Sequence, residues 1–185
     1  FIAAIEARYK RAYGAHVPFV YGVNIPFADG GPDPLDAVMI FWNEEGPHWH
    51  YVSAGLAPFG FELTFRLRAS AAGIGTEPAT HLGSIAYNAP TWPIIMLNML
   101  ARRVHRGGRV FGHGHWWQGP PGILRPHADF EHLVFASDAD LDMVDAPTGP
   151  LTFVQAAPVD AATFDELKAD EANNRGDITL ERLLE

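Results

Sequence analysis

The chain has 185 residues, of which 48% are hydrophobic, and this length suits one ordinary domain with a buried core. A formal net charge of -9 argues against nucleic-acid binding, because such proteins neutralise phosphates with clustered Lys and Arg. The absence of cysteine excludes disulfides, thiolate metal sites and cysteine nucleophiles, and it fits the cytoplasm. No apolar run approaches the roughly 18 to 20 residues that span a bilayer, so we expect one cytoplasmic domain over residues 1–185.

The first predicted element in chain order is an amphipathic helix. Apolar side chains recur there at spacings of three and four, at Ile2, Ile5, Tyr9 and Tyr13. Gly14 follows as a natural C-terminal stop. A turn-rich run of Gly, Pro and Asp then separates this helix from the first strand.

Three strands are predicted next, over Ala37–Trp42, His50–Leu56 and Phe61–Arg68. The third has the clearest pattern, because every odd position is large and apolar and every even position is polar or charged. That alternation is typical of a strand with one buried face.

A weakly patterned stretch from Ala69 to Ala89 predicts a long connection, and Thr91 and Pro93 then open a helix. Its predicted core stripe is Trp92, Ile95, Met96, Met99 and Leu100, and Gly107-Gly108 closes it.

Arginines cluster at the end of this helix, at Arg102, Arg103, Arg106 and Arg109. Cations there offset the negative end of the helix dipole. A site for an anion or an acidic partner is the alternative interpretation.

The remaining elements are a glycine- and proline-rich loop over Gly112–Pro126, and strands near Glu131–Ser137 and Leu151–Ala156. A helix is predicted to start at Asp160 and Thr163, where Thr163-x-x-Glu166 resembles a capping box, and Asp177 is predicted to cap a last short helix. Helices and strands do not alternate regularly. We therefore predict an α+β fold, with a mixed β-sheet flanked by helices.

Two His-x-His pairs could ligate a metal ion, and a metal-binding protein or metal-dependent enzyme is the alternative function that they suggest. His48 and His50 would point to the same side of a strand, and His113 and His115 form the second pair. Nothing in the sequence makes the two pairs face each other, so structural roles in a strand and a loop remain the competing interpretation.

The sequence contains no recognisable catalytic apparatus. Glu44 and Glu45 could act as paired carboxylates, but they lie between Trp42-Asn43 and Gly46-Pro47, in what is predicted to be a solvated turn. No nucleophile elbow, P-loop, dinucleotide fingerprint or metalloprotease helix motif occurs. No cofactor is therefore predicted.

Several segments, taken in order, resemble the N-terminal domain of the Suppressor of fused family. They are Gly30–Asp36 (GGPDPLD), His48–Ser53 (HWHYVS), Gly60–Leu67 (GFELTFRL) and Pro90–Pro93 (PTWP), followed by Leu100–Arg102. The resemblance covers most of the chain from about Gly30 onward.

This resemblance implies a non-enzymatic function. In animals the family restrains Hedgehog signalling by clamping an extended peptide of a transcription factor between two domains. Bacterial single-domain relatives have been proposed as immunity proteins that neutralise toxins. The chain is accordingly expected to be a protein-binding domain, possibly a bacterial immunity protein, whose partner contributes an extended peptide and is neither nucleic acid nor membrane.

Carried over to this sequence, the family's peptide-contacting surface would include the end of the long helix, at Arg103, and the loop before the next strand. The candidates in that loop are His113, His115, Trp116 and Trp117. The animal proteins have a tyrosine and an acidic residue where Arg103 and approximately His113 stand, so we do not expect this chain to bind the animal partner motif. The family also explains the His48–His50 run as part of a strand.

Overall fold

The computed structural model describes residues 2–14, 17–44, 46–69, 89–108, 110–119, 132–141, 143–146 and 149–172. The chain divides into two compact units. The first contains Phe1–Val110 and Asp138–Phe153, and the second contains Phe111–Ser137 and Val154–Glu185. A single domain over residues 1–185 stays a prediction.

Three α-helices and eight β-strands occur within the described ranges. The helices are α1 (Ile2–Tyr13), α2 (Trp92–Gly107) and α3 (Ala161–Ala172). The strands are β1 (Phe19–Gly22), β2 (Ala37–Asn43), β3 (His48–Ala54), β4 (Phe61–Arg68), β5 (Trp116–Gln118), β6 (His132–Ser137), β7 (Val144–Ala146) and β8 (Gly149–Val159). These elements confirm the α+β class.

The first unit is built on an antiparallel sheet in the order β1-β2-β3-β4. Ile40 pairs with Tyr51, and Tyr51 pairs with Phe65, so these three side chains lie on one face of the sheet. Trp92 of α2 packs edge-on against Phe65 there, with ring centroids 5.3 Å apart. Helix α2 therefore covers this face.

Helix α1 and described residues between 138 and 153 cover the opposite face. Tyr9 of α1 stacks on Phe41, with ring centroids 3.4 Å apart. The same core cluster includes Ile5, Leu141 and Phe153. Strands β2, β3 and β4 are thus buried from both sides.

The second unit is smaller. Strand β6 pairs antiparallel with β5 and with residues 154–159 of β8. Phe164 and Leu167 of α3 pack in one core cluster with Val134 and Ala136 of β6. Helix α3 thus covers a short antiparallel sheet made of β5, β6 and residues 154–159 of β8.

Two details of the predicted helices were wrong. Ile95 is 66% exposed, because α2 buries a face rotated toward Ile94 and Leu97. In α3 the predicted start at Asp160 is confirmed, since its Oδ1 accepts the Thr163 N–H at 2.8 Å, but Thr163 lies inside the helix, so the predicted Thr163-x-x-Glu166 box was wrong.

The closure of α2 by glycine is confirmed. Gly108 has a φ of 62°, and its N–H donates to the Val104 carbonyl at 2.8 Å. The helix predicted at Asp177, most of the long connection after Ala69 and the last part of the Gly112–Pro126 loop lie outside the described residues.

Strand β4 has the predicted bounds, but the prediction of one solvated face was wrong. The even-numbered Glu62 and Thr64 are fully buried, like their apolar neighbours. The Glu62 carboxylate accepts hydrogen bonds from the backbone N–H groups of Gly55, Leu56 and Ala57, each at 2.9 Å. It therefore anchors the connection between β3 and β4 from inside the fold.

Burial raises the pKa of Glu62 to about 7, against the opposing effect of its hydrogen bonds from Ser53 and the backbone. A carboxyl group whose pKa is higher in the folded chain binds more protons folded than unfolded. Its contribution to stability is therefore fully present below its ordinary pKa of 4.5 and is lost as the pH rises through about 7.

We expect the substitution Glu62→Gln to change the pH dependence of folding in one direction. The neutral amide has no proton to lose, so the stability of the variant relative to the parent chain should rise between pH 5 and pH 8. The half-buried His48 and the buried His50, whose pKa values are lowered, give both proteins a common opposite slope that cancels in the difference.

Urea unfolding at several pH values measures this difference. Glu44→Gln, in the exposed turn after β2, is the matched control and should give a constant difference. A Glu62→Gln difference that stays flat or falls with pH would contradict the expectation.

Candidate functional site

In the first histidine pair, the two rings are not both accessible to a metal ion from solvent. His50 is fully buried in β3, and its Nε2 lies 3.3 Å from Oδ2 of Asp138. The Nδ1 of His48 lies 2.6 Å from the Gly46 carbonyl oxygen. Burial lowers the pKa of both histidines, which favours their neutral forms.

Asp138 is the centre of the most polar cluster in the first unit. Its Oδ2 accepts hydrogen bonds from the Thr64 hydroxyl at 2.6 Å and from the Arg66 guanidinium at 2.9 Å. Its Oδ1 accepts a second Arg66 N–H at 2.8 Å and the backbone N–H groups of Asp140 and Leu141 at 2.9 and 3.0 Å. Both oxygens are thus saturated from the protein itself.

Burial opposes the ionisation of Asp138, but His50 and the Arg66 guanidinium together hold the pKa of this carboxyl well below its usual range. An ionised carboxylate beside a buried histidine is a pairing that enzymes also use. Here the His50 ring is covered on its other side by Tyr9, with ring centroids 5.7 Å apart, and its exposure is zero. No substrate atom could reach it, so the cluster is structural.

Metal ligation receives no support from the parts of the chain that are described. No group of three or more His, Asp or Glu side chains there has the arrangement of a metal site. In the second pair, the Nδ1 of His113 accepts the Ser137 N–H at 3.3 Å. Glu44 lies in an exposed turn, as predicted, and Glu45 falls outside the described residues.

The loop before β5 is fixed to β6 by backbone hydrogen bonds. The Gly114 N–H donates to the Phe135 carbonyl at 2.9 Å, and the Phe135 N–H donates to the His115 carbonyl at 2.8 Å. The side chains of His113 and His115 are exposed from this fixed loop. They are therefore displayed on an ordered backbone.

The two tryptophans of β5 have opposite environments, because successive side chains of a strand point to opposite faces. Trp117 is 8% exposed and Trp116 is 37% exposed. Trp116 packs edge-on against Phe164 of α3, with ring centroids 5.2 Å apart, and the Lys168 ammonium lies 5.6 Å from the Trp116 centroid. Only Trp116 is open to a partner.

We call Trp116 and Lys168, together with His113 and His115, the Trp116 surface, and the fully buried Phe164 lies beneath it. Phe164 is held from behind by the ring of His132, stacked at 4.1 Å and 4°. The remaining predicted contact, Arg103, is exposed on α2 in the first unit.

Sequence reasoning missed Phe164, Lys168 and Asp138. Phe164 and Lys168 are four residues apart on one helix, a spacing that places them side by side, but no sequence signal connects α3 to β5. Asp138 follows β6 directly, and only the fold brings it to Arg66, 72 residues earlier.

No helix in the described part of the chain is long and apolar enough to cross a membrane.

The fold and these surfaces define an α+β domain with a structural polar core and exposed aromatic and histidine side chains. The sequence model of the family described as Suppressor of fused protein (SUFU) matches residues 31–178. Suppressor of fused homologs from Homo sapiens and Mus musculus are each 31% identical over 179 residues, covering 83% of this chain. The chain belongs to the Suppressor of fused family.

The alignments cover 34% of each of these relatives, so the chain spans about a third of their length. Among solved structures, the Sufu-Fu complex gives a TM-score of 0.73 at 23% identity, over 90% of this chain and 78% of that one. Drosophila Suppressor of Fused gives 0.73 at 24% identity, over 89% and 43%. The predicted fold is confirmed by these structures.

We expect Asp138→Asn to destabilise the chain by about 3 kcal/mol or more, because a neutral amide would replace a buried carboxylate that accepts five hydrogen bonds and balances Arg66. Asp140→Asn is the matched control. Asp140 is more exposed and contacts the same Arg66, so its loss should cost about 1 kcal/mol or less. Urea unfolding at pH 7 measures both, and equal losses would show that Asp138 has no special structural role.

Proposed function

We propose that this chain is a non-enzymatic, cytoplasmic protein-binding domain that holds an extended segment of its partner against the Trp116 surface. The observation that carries the proposal is the exposed indole of Trp116 on a short strand at the end of the strand order. Strand β5 pairs with β6, and no described strand pairs with its other edge. An extended peptide can add to such an edge through its backbone.

Preorganisation of Trp116 supports this role. The indole is held by Phe164 and Lys168, so little side-chain freedom is lost when a partner binds. Tryptophan is enriched among the residues that dominate binding energy, because it offers a large apolar face and one hydrogen-bond donor. Trp116 is thus the expected anchor, and Trp117, which is buried on the opposite face of β5, is expected to hold the strand in place.

The polar residues around Trp116 supply the specificity in this proposal. His113 and His115 can donate or accept hydrogen bonds, and Lys168 offers a cation at the same surface. Arg103 is proposed as a further contact on α2. The solved relative is named as part of a Sufu-Fu complex, which supports a protein as the partner. The immunity role is the case in which that partner is a toxin.

We expect Trp116→Ala to weaken partner binding by about 2 kcal/mol, or roughly thirtyfold, because it removes the anchor of the interface. A benzophenone amino acid at His115 would cross-link the partner in extracts of the native host. Mass spectrometry of the conjugate would identify the attached segment. The purified partner would then be titrated against each variant by calorimetry.

Two variants serve as controls. Trp116→Phe keeps an aromatic anchor and should retain most of the affinity, and Met143→Ala removes another exposed apolar side chain, in the first unit. Thermal unfolding should show that all variants are folded. Unchanged affinity in a folded Trp116→Ala variant would show that the Trp116 surface does not bind the partner.

A further inference from the structure

Strand β1 lies at the end of the described strand order in the first unit. It pairs with β2 on one side, and no described strand lies on the other. Natural edge strands are usually blunted by Lys, Pro, charge or a bulge, but Phe19–Gly22 contains no charged residue and no proline. Its pattern of exposure shows that described parts of the chain leave it largely uncovered.

Exposed apolar side chains concentrate beside this edge. Eight large hydrophobic residues are exposed among those described, and five of them belong to the β1 segment or to the neighbouring face of α2. These five are Val17, Val20, Tyr21, Ile25 and Ile95. A concentration of this kind marks an interaction surface, whereas single exposed apolar residues need no explanation.

A groove joins β1 to α2 in the same place. Its volume is about 250 Å³, and its apolar lining includes Tyr21, Ile95 and Met99. Asn98 lies in it with its amide already used, since its Oδ1 accepts the Leu35 N–H at 3.3 Å and its Nδ2 donates to the Ile94 carbonyl at 3.2 Å. The groove therefore offers apolar contact next to an open backbone edge.

The charge at one end of the groove indicates what would occupy it. Arg102 lines the groove and lies 3.7 Å from Asp33, with both side chains about 40% exposed. Arg106 is one turn further along the same face of α2, is exposed, and has no carboxylate within ion-pair distance among the described residues. A cation without a counterion beside an apolar groove is complementary to a carboxylate on the occupant.

We infer that the β1 edge and the α2 groove form a second protein-binding surface, whose occupant is an extended segment of a partner with alternating apolar and acidic side chains. The backbone of that segment pairs with β1. Its apolar side chains contact Tyr21, Ile95 and Met99, and a carboxylate faces Arg106. This surface is formed by residues of the first unit and the Trp116 surface by residues of the second, so either can fail in a test without the other.

A second copy of the chain is the competing occupant, since two β1 edges could pair antiparallel. Each copy carries a net charge of -9, which opposes that association. Pairing of two β1 edges would also give no role to the cation at Arg106.

Two synthetic peptides test the inference. One alternates valine with glutamate and the other alternates valine with lysine, and both are titrated into the isotope-labelled chain by NMR. The glutamate peptide should shift the amide signals of residues 17–25 and 94–106, and the lysine peptide should bind about tenfold more weakly or not at all. Arg106→Glu should reverse this preference, and Ile95→Glu should weaken binding of the glutamate peptide about tenfold.

The controls are matched in chemistry. Arg68→Glu makes the same charge change at the exposed end of β4, and Met143→Glu puts the same charge at another exposed apolar position, so neither should alter the preference. Trp116→Ala should also leave it unchanged. Equal binding of the two peptides, no shift with either, or a dimer in light scattering that Ile95→Glu dissociates would each overturn the inference.

Discussion

The fold of the first unit depends on the neutralisation of one buried charge. Asp138 arrives directly after β6, and its carboxylate is met by Arg66 and Thr64 of β4 and by the ring of His50 in β3. Taking a carboxylate out of water costs several kcal/mol unless partners surround it. Because all these partners lie on neighbouring strands, the carboxylate fixes both the register of β3 with β4 and the position of the returning chain.

The alternation in β4 predicted the strand and its apolar face correctly. It could not reveal that Glu62, Thr64 and Arg66 are covered as well, because the groups that cover them come from the β3–β4 connection and from residue 138 onward. A polar residue in an alternating strand has the same appearance in a sequence whether water or a distant backbone satisfies it. The residue pattern of a single strand cannot predict long-range pairing of this kind.

The candidate surfaces were likewise only partly predictable from the sequence. The loop before β5 and both tryptophans were accessible to sequence comparison, but the buried state of Trp117 and the Phe164–Lys168 support for Trp116 required the fold. The exposure of Ile95 was missed because its spacing fits the predicted stripe, whereas packing of α2 selects a face rotated from it. Periodicity predicts that a helix has a buried face, and tertiary contacts decide where that face is centred.

The chain crosses between its two units three times, after residues 110, 137 and 153, and the last crossing lies inside the continuous strand β8. Neither unit is therefore a contiguous stretch of the gene. Recombination that joined only the first 110 residues to another protein would leave behind Asp138 and the strand segment beside Gly60. The region can thus be inherited by larger proteins only as a whole, and natural fusions should join outside it or within its surface loops.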